Sequence, residues 1–295
     1  MVENDVTQSP TSYQQLDTTL RLSRRAMRRG IQMLRYKRLS LADVPILFAN
    51  AFPKSGTHLL TQALDGFTRV GPAVNSGLPA IVTFEGNTGR TRSETEILTD
   101  LYRLLPGDIA YGHLHALPQT TEFICRADFA PYFILRDPRD VVVSHVHYVT
   151  EMEENHIHHD YYCQVLTSFD ERLYTSIAGI PGSLPNIYQR FTPYLGWLDH
   201  PEVLTLRFED FKADFWGNLE AILDHALEHG FPLKCNRESA VRILEESIDP
   251  QSSPTFRSGR VGGWQGAFNP EHRHIFKELT GDLLIRLGYE QDNTW

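Results

Sequence analysis

The sequence predicts an α/β protein with three layers, a mostly parallel sheet between helices on both faces. Three observations point there. Four short apolar runs, "VPILFAN" (44–50), "DIAYGHL" (108–114), "PYFILR" (131–136) and "EVLTLRF" (202–208), have the length and side chains of buried strands. Segments with helical spacing follow three of them: "HLLTQALDGF", "DPRDVVVSHVHYV" and "EDFKADFWGNLEAILDHALEHG", the last stopping at Gly230. Finally, 295 residues with 41% hydrophobic content can bury a sizeable core. Alternating strands and helices form crossover units, and such sheets bind ligands outside the carboxyl ends of their strands.

In chain order, residues 1–43 read as a basic helical extension. Its block "RLSRRAMRRGIQMLRYKR" (21–38) places Leu22, Met27, Ile31 and Leu34 at near-helical spacing among arginines. Two readings stand: a solvated amphipathic helix laid on the body, or a weak contact with a membrane surface or an acidic partner. Residues 44–295 read as a single α/β domain. Within it the stretch 150–200 breaks the alternation: "EMEENHIHHDYYCQVLTSF" is polar and aromatic, and "GIPGSLPN" is full of breakers. That is the pattern of an insertion over the sheet edge, a lid or acceptor-binding element. From Asn236 there follow a helix, a Gly-rich loop "FRSGRVGGW", and a helix from Pro270 to about Gly288.

Composition narrows the function. A formal net charge of −9 argues against a general nucleic-acid binder, whose affinity comes mostly from surplus Lys and Arg neutralising phosphates. Cys125, Cys163 and Cys235 are too few for a disulfide framework or a Cys-rich zinc site and fit free thiols. No run approaches the roughly 18 apolar residues of a membrane span. The opening "MVENDVTQSP" lacks a secretory leader's basic and apolar regions, so a soluble cytoplasmic protein is expected. His145, His147, His156, His158 and His159 suggest a metal cluster, but "HIHH" lacks the Cys partners or the helical His pair with Glu of a zinc motif. No metal is expected.

The chemistry concentrates in "FANAFPKSGTHLL" (48–60), a strand, a turn and a helix start. Such a turn aims several backbone amides and the positive end of the helix dipole at one spot, which suits a phosphate. Gly56 permits close approach, Ser55 and Thr57 bring hydroxyls, and Lys54 brings a mobile charge. An ordinary strand-to-helix turn with a Ser cap is the plain alternative. The Walker pattern fits poorly, because Lys54 precedes Gly56 by two residues, which weakens a reading as a Mg²⁺-dependent nucleotide kinase or NTPase.

"FPKSGTHLL", "FILRDPRDVVVSHVHYV" and "FRSGRVGGWQGAF" resemble the three signature segments of sulfotransferases that use 3′-phosphoadenosine 5′-phosphosulfate (PAPS). They occur in that family's order and spacing, over roughly residues 44–288. The resemblance implies a P-loop NTPase-like fold, PAPS as co-substrate and no metal. It implies that backbone groups around Ser55, Gly56, Thr57 and His58 take the 5′-phosphate, while Lys54 meets the leaving oxygen. It further implies that Arg136 and Ser144 grip the 3′-phosphate and that Arg257, Ser258 and Gly259 close over it. An ion pair of Arg136 with Asp137 or Asp140 is the plain alternative, and Arg139 and Asp140 read as structural. Where family members carry an adenine-stacking Trp, this chain has Leu59, which leaves Phe208 of "RFED" as the candidate. Ser258, Gly263 and Gln265 replace the family's Lys, Asp and Lys, so Arg260 is a candidate to complete the clamp, and Trp264 matches the aromatic that follows.

Sulfonate transfer to a hydroxyl, or less readily an amine, is helped by a base titrating near neutrality. "YGHLHALP" places His113 at the end of a strand, where the resemblance implies a catalytic His, with His115 as rival. His147 matches a family position just past Ser144 that often faces the acceptor. A small-molecule, lipid or carbohydrate acceptor fits the reading, and the oligomeric state is open. A nucleotide-binding protein of the same fold without transfer is the alternative from another class.

Overall fold

In the computed structural model, which describes residues 12–253, 257 and 259–295, the apolar runs form an all-parallel six-stranded sheet. Strand β1 (Ile46–Ala51) is central. On one side short strands β2 (Val74–Asn75) and β3 (Ile81–Val82) pair with opposite ends of β4 (Asp108–His113), which pairs with β1. On the other side lie β5 (Phe129–Leu135) and β6 (Leu204–Arg207). Every residue of β1 and β5 is buried, as strands covered on both faces require. Asn50 stands opposite both Gly112 and Phe133, so β1, β4 and β5 end side by side. That register brings the turn after Ala51, the side chain of His113 and residue Arg136 to one edge.

Alternation along β1 divides the interior. Ile46 and Phe48 enter a core with Phe133, Val142, Ile177 and Trp197, whereas Leu47, Ala49 and Ala51 enter one with Leu60, Leu64, Ile222 and Leu244. After the N-terminal α1 (Ser12–Arg35), helices α2 (Thr57–Asp65) and α3 (Phe67–Val70) follow β1, and α4 (Glu94–Leu101) and α5 (Pro118–Ile124) flank β4. Then come α6 (Pro138–His147), α7 (Phe169–Ala178), α8 (Ile187–Phe191), α9 (Asp210–Ala213) and α10 (Phe215–Glu228). The last four are α11 (Arg237–Glu246), α12 (Trp264–Ala267), α13 (Pro270–Thr280) and α14 (Leu283–Arg286). No helix among the described residues is long and apolar enough to cross a membrane.

The structure refines several expectations. β2, β3, α4 and α5 were not expected. The helix expected over 209–230 is split at Asp214, whose carboxylate caps α10 by accepting the Gly217 amide at 2.9 Å. The helix from Pro270 stops at Thr280, where Gly281 takes φ +55°, before α14 resumes. The 150–200 stretch, expected as an insertion over the sheet edge, opens with two π-helical turns and carries Leu173, Ile177, Ile187, Phe191 and Trp197 into the core.

Helix α1 lies on the body by Met33 and a set of polar residues, not by the four apolar residues of the spacing pattern. Leu22, Met27, Ile31 and Leu34 are 49, 61, 53 and 82% exposed. The rest of the inner face is polar: Arg25 and Arg29 both pair with the buried Asp108, and Gln32 Nε2 and Tyr36 Oη donate to the Thr68 carbonyl at 3.2 and 3.1 Å. A buried carboxylate at the start of β4 needs cations, and that need orients the helix more strongly than a few apolar side chains do.

Candidate active site

Two residues with positive φ, Lys54 (69°) and Gly56 (101°), bend the chain between β1 and α2. Only glycine fits at 56: besides the left-handed backbone, a Cβ there would lie 2.8 Å from Phe208 Cδ2. The Ser55 amide donates to the Phe52 carbonyl at 3.2 Å, while those of Gly56, Thr57 and His58 meet no acceptor among the described residues. Ser55 is buried, with Oγ unpartnered. Free amides at the positive end of a helix form an oxyanion site. Lys54 Nζ lies 4.0 Å from the centre of the Tyr148 ring. Burial, and then the charge of Arg136, pull its pKa down to about 8, so an anion beside it would stabilise the ammonium.

Arg136 stands one residue past β5, its side chain 12% exposed and its guanidinium 4.7 Å from the Phe208 ring centre. Its Nη2 donates to the Arg260 carbonyl and lies 3.4 Å from Asp140 Oδ2, while Nε is buried without a partner. The plain alternative, an ion pair with Asp140, is therefore present but long. Asp140 makes shorter contacts with the amides of Gly262 and Trp264, at 2.8 and 2.9 Å, and ties the Gly-rich loop to α6. Asp137 caps α6, and Arg139 pairs with Asp137 and Glu290. Trp264 packs against Phe268 and Trp295 and does not line the cleft. Phe208 backs Gly56 and lies against Arg136, linking the two basic positions.

All of this opens on one cleft of about 1160 Å³, which His58, His113, Ser144, His147, Arg257, Gly259 and Arg260 also line. Ser258 lies outside the described residues. The Nδ1 of His113 is 2.8 Å from the Ala51 carbonyl, which can only accept, so Nδ1 carries the proton and Nε2 keeps its lone pair. Burial holds this imidazole neutral by lowering its pKa. His115 packs edge-on against Tyr194 and is absent from the cleft wall. His147 Nδ1 is 2.7 Å from Glu151 Oε1. Among the described residues only Cys125, His200 and Glu202 bring three ligand atoms within 4.8 Å of one another, and none of them lines the cleft.

Two cleft features went unread in the sequence: the seat of Lys54 on Tyr148, and Arg190, on which the cleft wall also draws. A signal for Arg190 existed, since no acidic residue stands between Glu171 and Asp199 to pair with it.

The family model described as "Sulfotransferase domain" matches residues 132–288, which include the Arg136 segment and the Gly-rich loop but not the Lys54 turn. No curated protein matches the sequence. Among solved structures the chain is similar to a retinol dehydratase in complex with androsterone and inactive cofactor PAP, at 16% identity and TM-score 0.55, over 83% of each chain. It is similar to a retinol dehydratase with retinol and PAP, at 16% identity and TM-score 0.54, over 84% of this chain and 83% of that one. It is also similar to mouse sulfotransferase SULT7A1 complexed with PAP, at 21% identity and TM-score 0.53, over 84% of this chain and 88% of that one. At such identities the likeness concerns the fold, and the expected α/β architecture is the one they share.

Proposed function

The chain belongs to the sulfotransferase family, and from that premise we propose that it moves a sulfonate group from PAPS to an acceptor hydroxyl, less readily an amine, releasing adenosine 3′,5′-bisphosphate. One observation carries the donor assignment. Two anion-seeking positions, the bare amides of Gly56, Thr57 and His58 with Lys54, and Arg136 with its unpartnered Nε, share one cleft across Phe208. A nucleotide with phosphates at both the 5′ and 3′ positions matches that pairing. The PAP of the similar structures agrees with it.

In this scheme His113 Nε2 takes the proton of the acceptor hydroxyl as its oxygen bonds to sulfur. The bond from sulfur to the bridging phosphate oxygen breaks, and Lys54 and the turn amides meet the charge left on that oxygen. Ser144 and the Arg257–Gly259 stretch assist Arg136 at the 3′-phosphate, and Phe208 offers an aromatic surface to the adenosine. Calorimetry with adenosine 3′,5′-bisphosphate and with ATP plus Mg²⁺ tests the reading. Tight binding of the bisphosphate without metal is expected. A preference for Mg²⁺–ATP would transfer the reading to a kinase or NTPase.

The acceptor is a small molecule, lipid or carbohydrate that reaches His113. A cytoplasmic location fits Cys125, Cys163 and Cys235, all free thiols. The outward stripe of α1 supports a weak contact with an anionic membrane surface: Leu20, Met27, Ile31 and Leu34 share a face, with exposed Arg24 and Arg35 beside it. Co-sedimentation with phosphatidylserine vesicles, lost on pure phosphatidylcholine and in the double variant Ile31→Ser, Leu34→Ser, is the expected result. Equal behaviour on both vesicle types would remove the contact.

A further inference from the structure

Beyond Tyr148 the cleft continues to a group of basic side chains. The Tyr148 and His156 ring centres are 5.8 Å apart, those of His156 and His145 6.0 Å, and those of His156 and His158 5.2 Å. Arg190 of α8 joins them on the cleft wall. Its Nη2 donates to the Ser176 carbonyl, its Nε is buried without a partner, and no carboxylate among the described residues forms an ion pair with it. The Nδ1 of His158 is likewise buried and unpartnered. Burial and the nearby positive charges lower the pKa of all three histidines, so Arg190 is the fixed charge here and the imidazoles are held neutral.

A guanidinium removed from water without a counter-ion is costly to a fold, and proteins that bury one normally supply a carboxylate. Arg139 shows this chain doing so elsewhere, with Asp137 and Glu290 beside it. Arg190 also differs from Arg136, whose carboxylate is in place and whose location belongs to the donor. We propose that the acceptor bears, besides the hydroxyl that takes the sulfonate, an oxyanion such as a carboxylate, and that Arg190, with His156 and His158, binds it. This rests on the sulfotransferase reading for the location of the acceptor and adds its chemical class. The planar fork of Arg190 pairs with two oxygens of one oxyanion, and the imidazoles supply further donors.

The test uses the full chain saturated with adenosine 3′,5′-bisphosphate, and phenols bearing a carboxylate on tethers of one to four methylenes, each beside its methyl ester. Calorimetry is expected to show at least one acid binding about 10- to 100-fold tighter than its ester, the range of a charge-assisted contact. Arg190→Gln should erase that preference and Arg190→Lys should restore part of it. Retained affinity for adenosine 3′,5′-bisphosphate in each variant shows that the fold stands. Acids that bind no better than esters at every tether length, or a preference that survives Arg190→Gln, would overturn the proposal. Failure of the parent protein to bind adenosine 3′,5′-bisphosphate would instead count against the donor assignment, and the acid and ester comparison still decides the role of Arg190 on the protein alone.

Discussion

The two ends of the cleft offer an anion different means of being held. At the Lys54 end the main chain does most of the work: three free amides, a helix start and a glycine that nothing larger can replace. At the Arg190 end side chains do it, on α6, on the stretch after it and on α8. A backbone-built site is fixed once the turn folds, so it suits a donor that never changes. A side-chain site can be altered one residue at a time without disturbing the sheet, so it suits whatever acceptor the cell presents. The contrast extends to charge: Lys54 is paired with an aromatic ring, Arg136 with a carboxylate 3.4 Å away, and Arg190 with no ion among the described residues.

The largest effect is expected at His113, the proposed base. His113→Ala should lower kcat by about 10²- to 10⁴-fold while leaving affinity for adenosine 3′,5′-bisphosphate within about twofold. Steady-state rates and calorimetry on one preparation decide it, and unchanged turnover removes His113 from the chemistry. Arg136→Ala comes next, with a loss of bisphosphate affinity of about 2 to 5 kcal/mol, as for a broken charged contact in a buried site. The same affinity in variant and parent would place the 3′-phosphate elsewhere.

The smallest effect is in pH. The Lys54 pKa, about 8 in the folded protein, lies below the ordinary lysine value, so the fold favours the neutral amine and stability from this group rises as pH climbs from about 8 toward that value. Binding of an anion favours the ammonium instead. Donor affinity should therefore be flat below about pH 8 and fall by up to about tenfold per pH unit above it. A flat profile to pH 9.5 would mean that Lys54 does not touch the donor. The acid limb of the rate should lie below the usual imidazole range, because His113 is held neutral by burial.

How much of this the sequence disclosed follows from how local each feature is. The turn at 52–57, Arg136 at the end of β5 and His113 at the end of β4 could be placed because each is set by the strand it terminates. Strands β2 and β3, of two residues each, carry no periodicity to detect and exist only because β4 offers an edge. The break at Asp214 was hidden because a capping carboxylate inside a helical pattern reads as a surface residue. The inward face of α1 could not be assigned for a similar reason: apolar spacing ordinarily marks the buried side, and only the fold reveals the carboxylate at the start of β4 that reverses it. The acid-free stretch around Arg190 marks it as locally unpaired, but its place on the cleft required knowledge of which segments converge there, which no single stretch contains.

That reversal has a mechanical side. Asp108 begins the strand that ends in His113, and two arginines clamp it to α1. Shaving the helix away would strip Asp108 of both arginines that pair with it, so helix α1 is a structural bolt and not a detachable tail. Any surface that tugs on its outer stripe pulls, through five peptide units, on the imidazole proposed as the base.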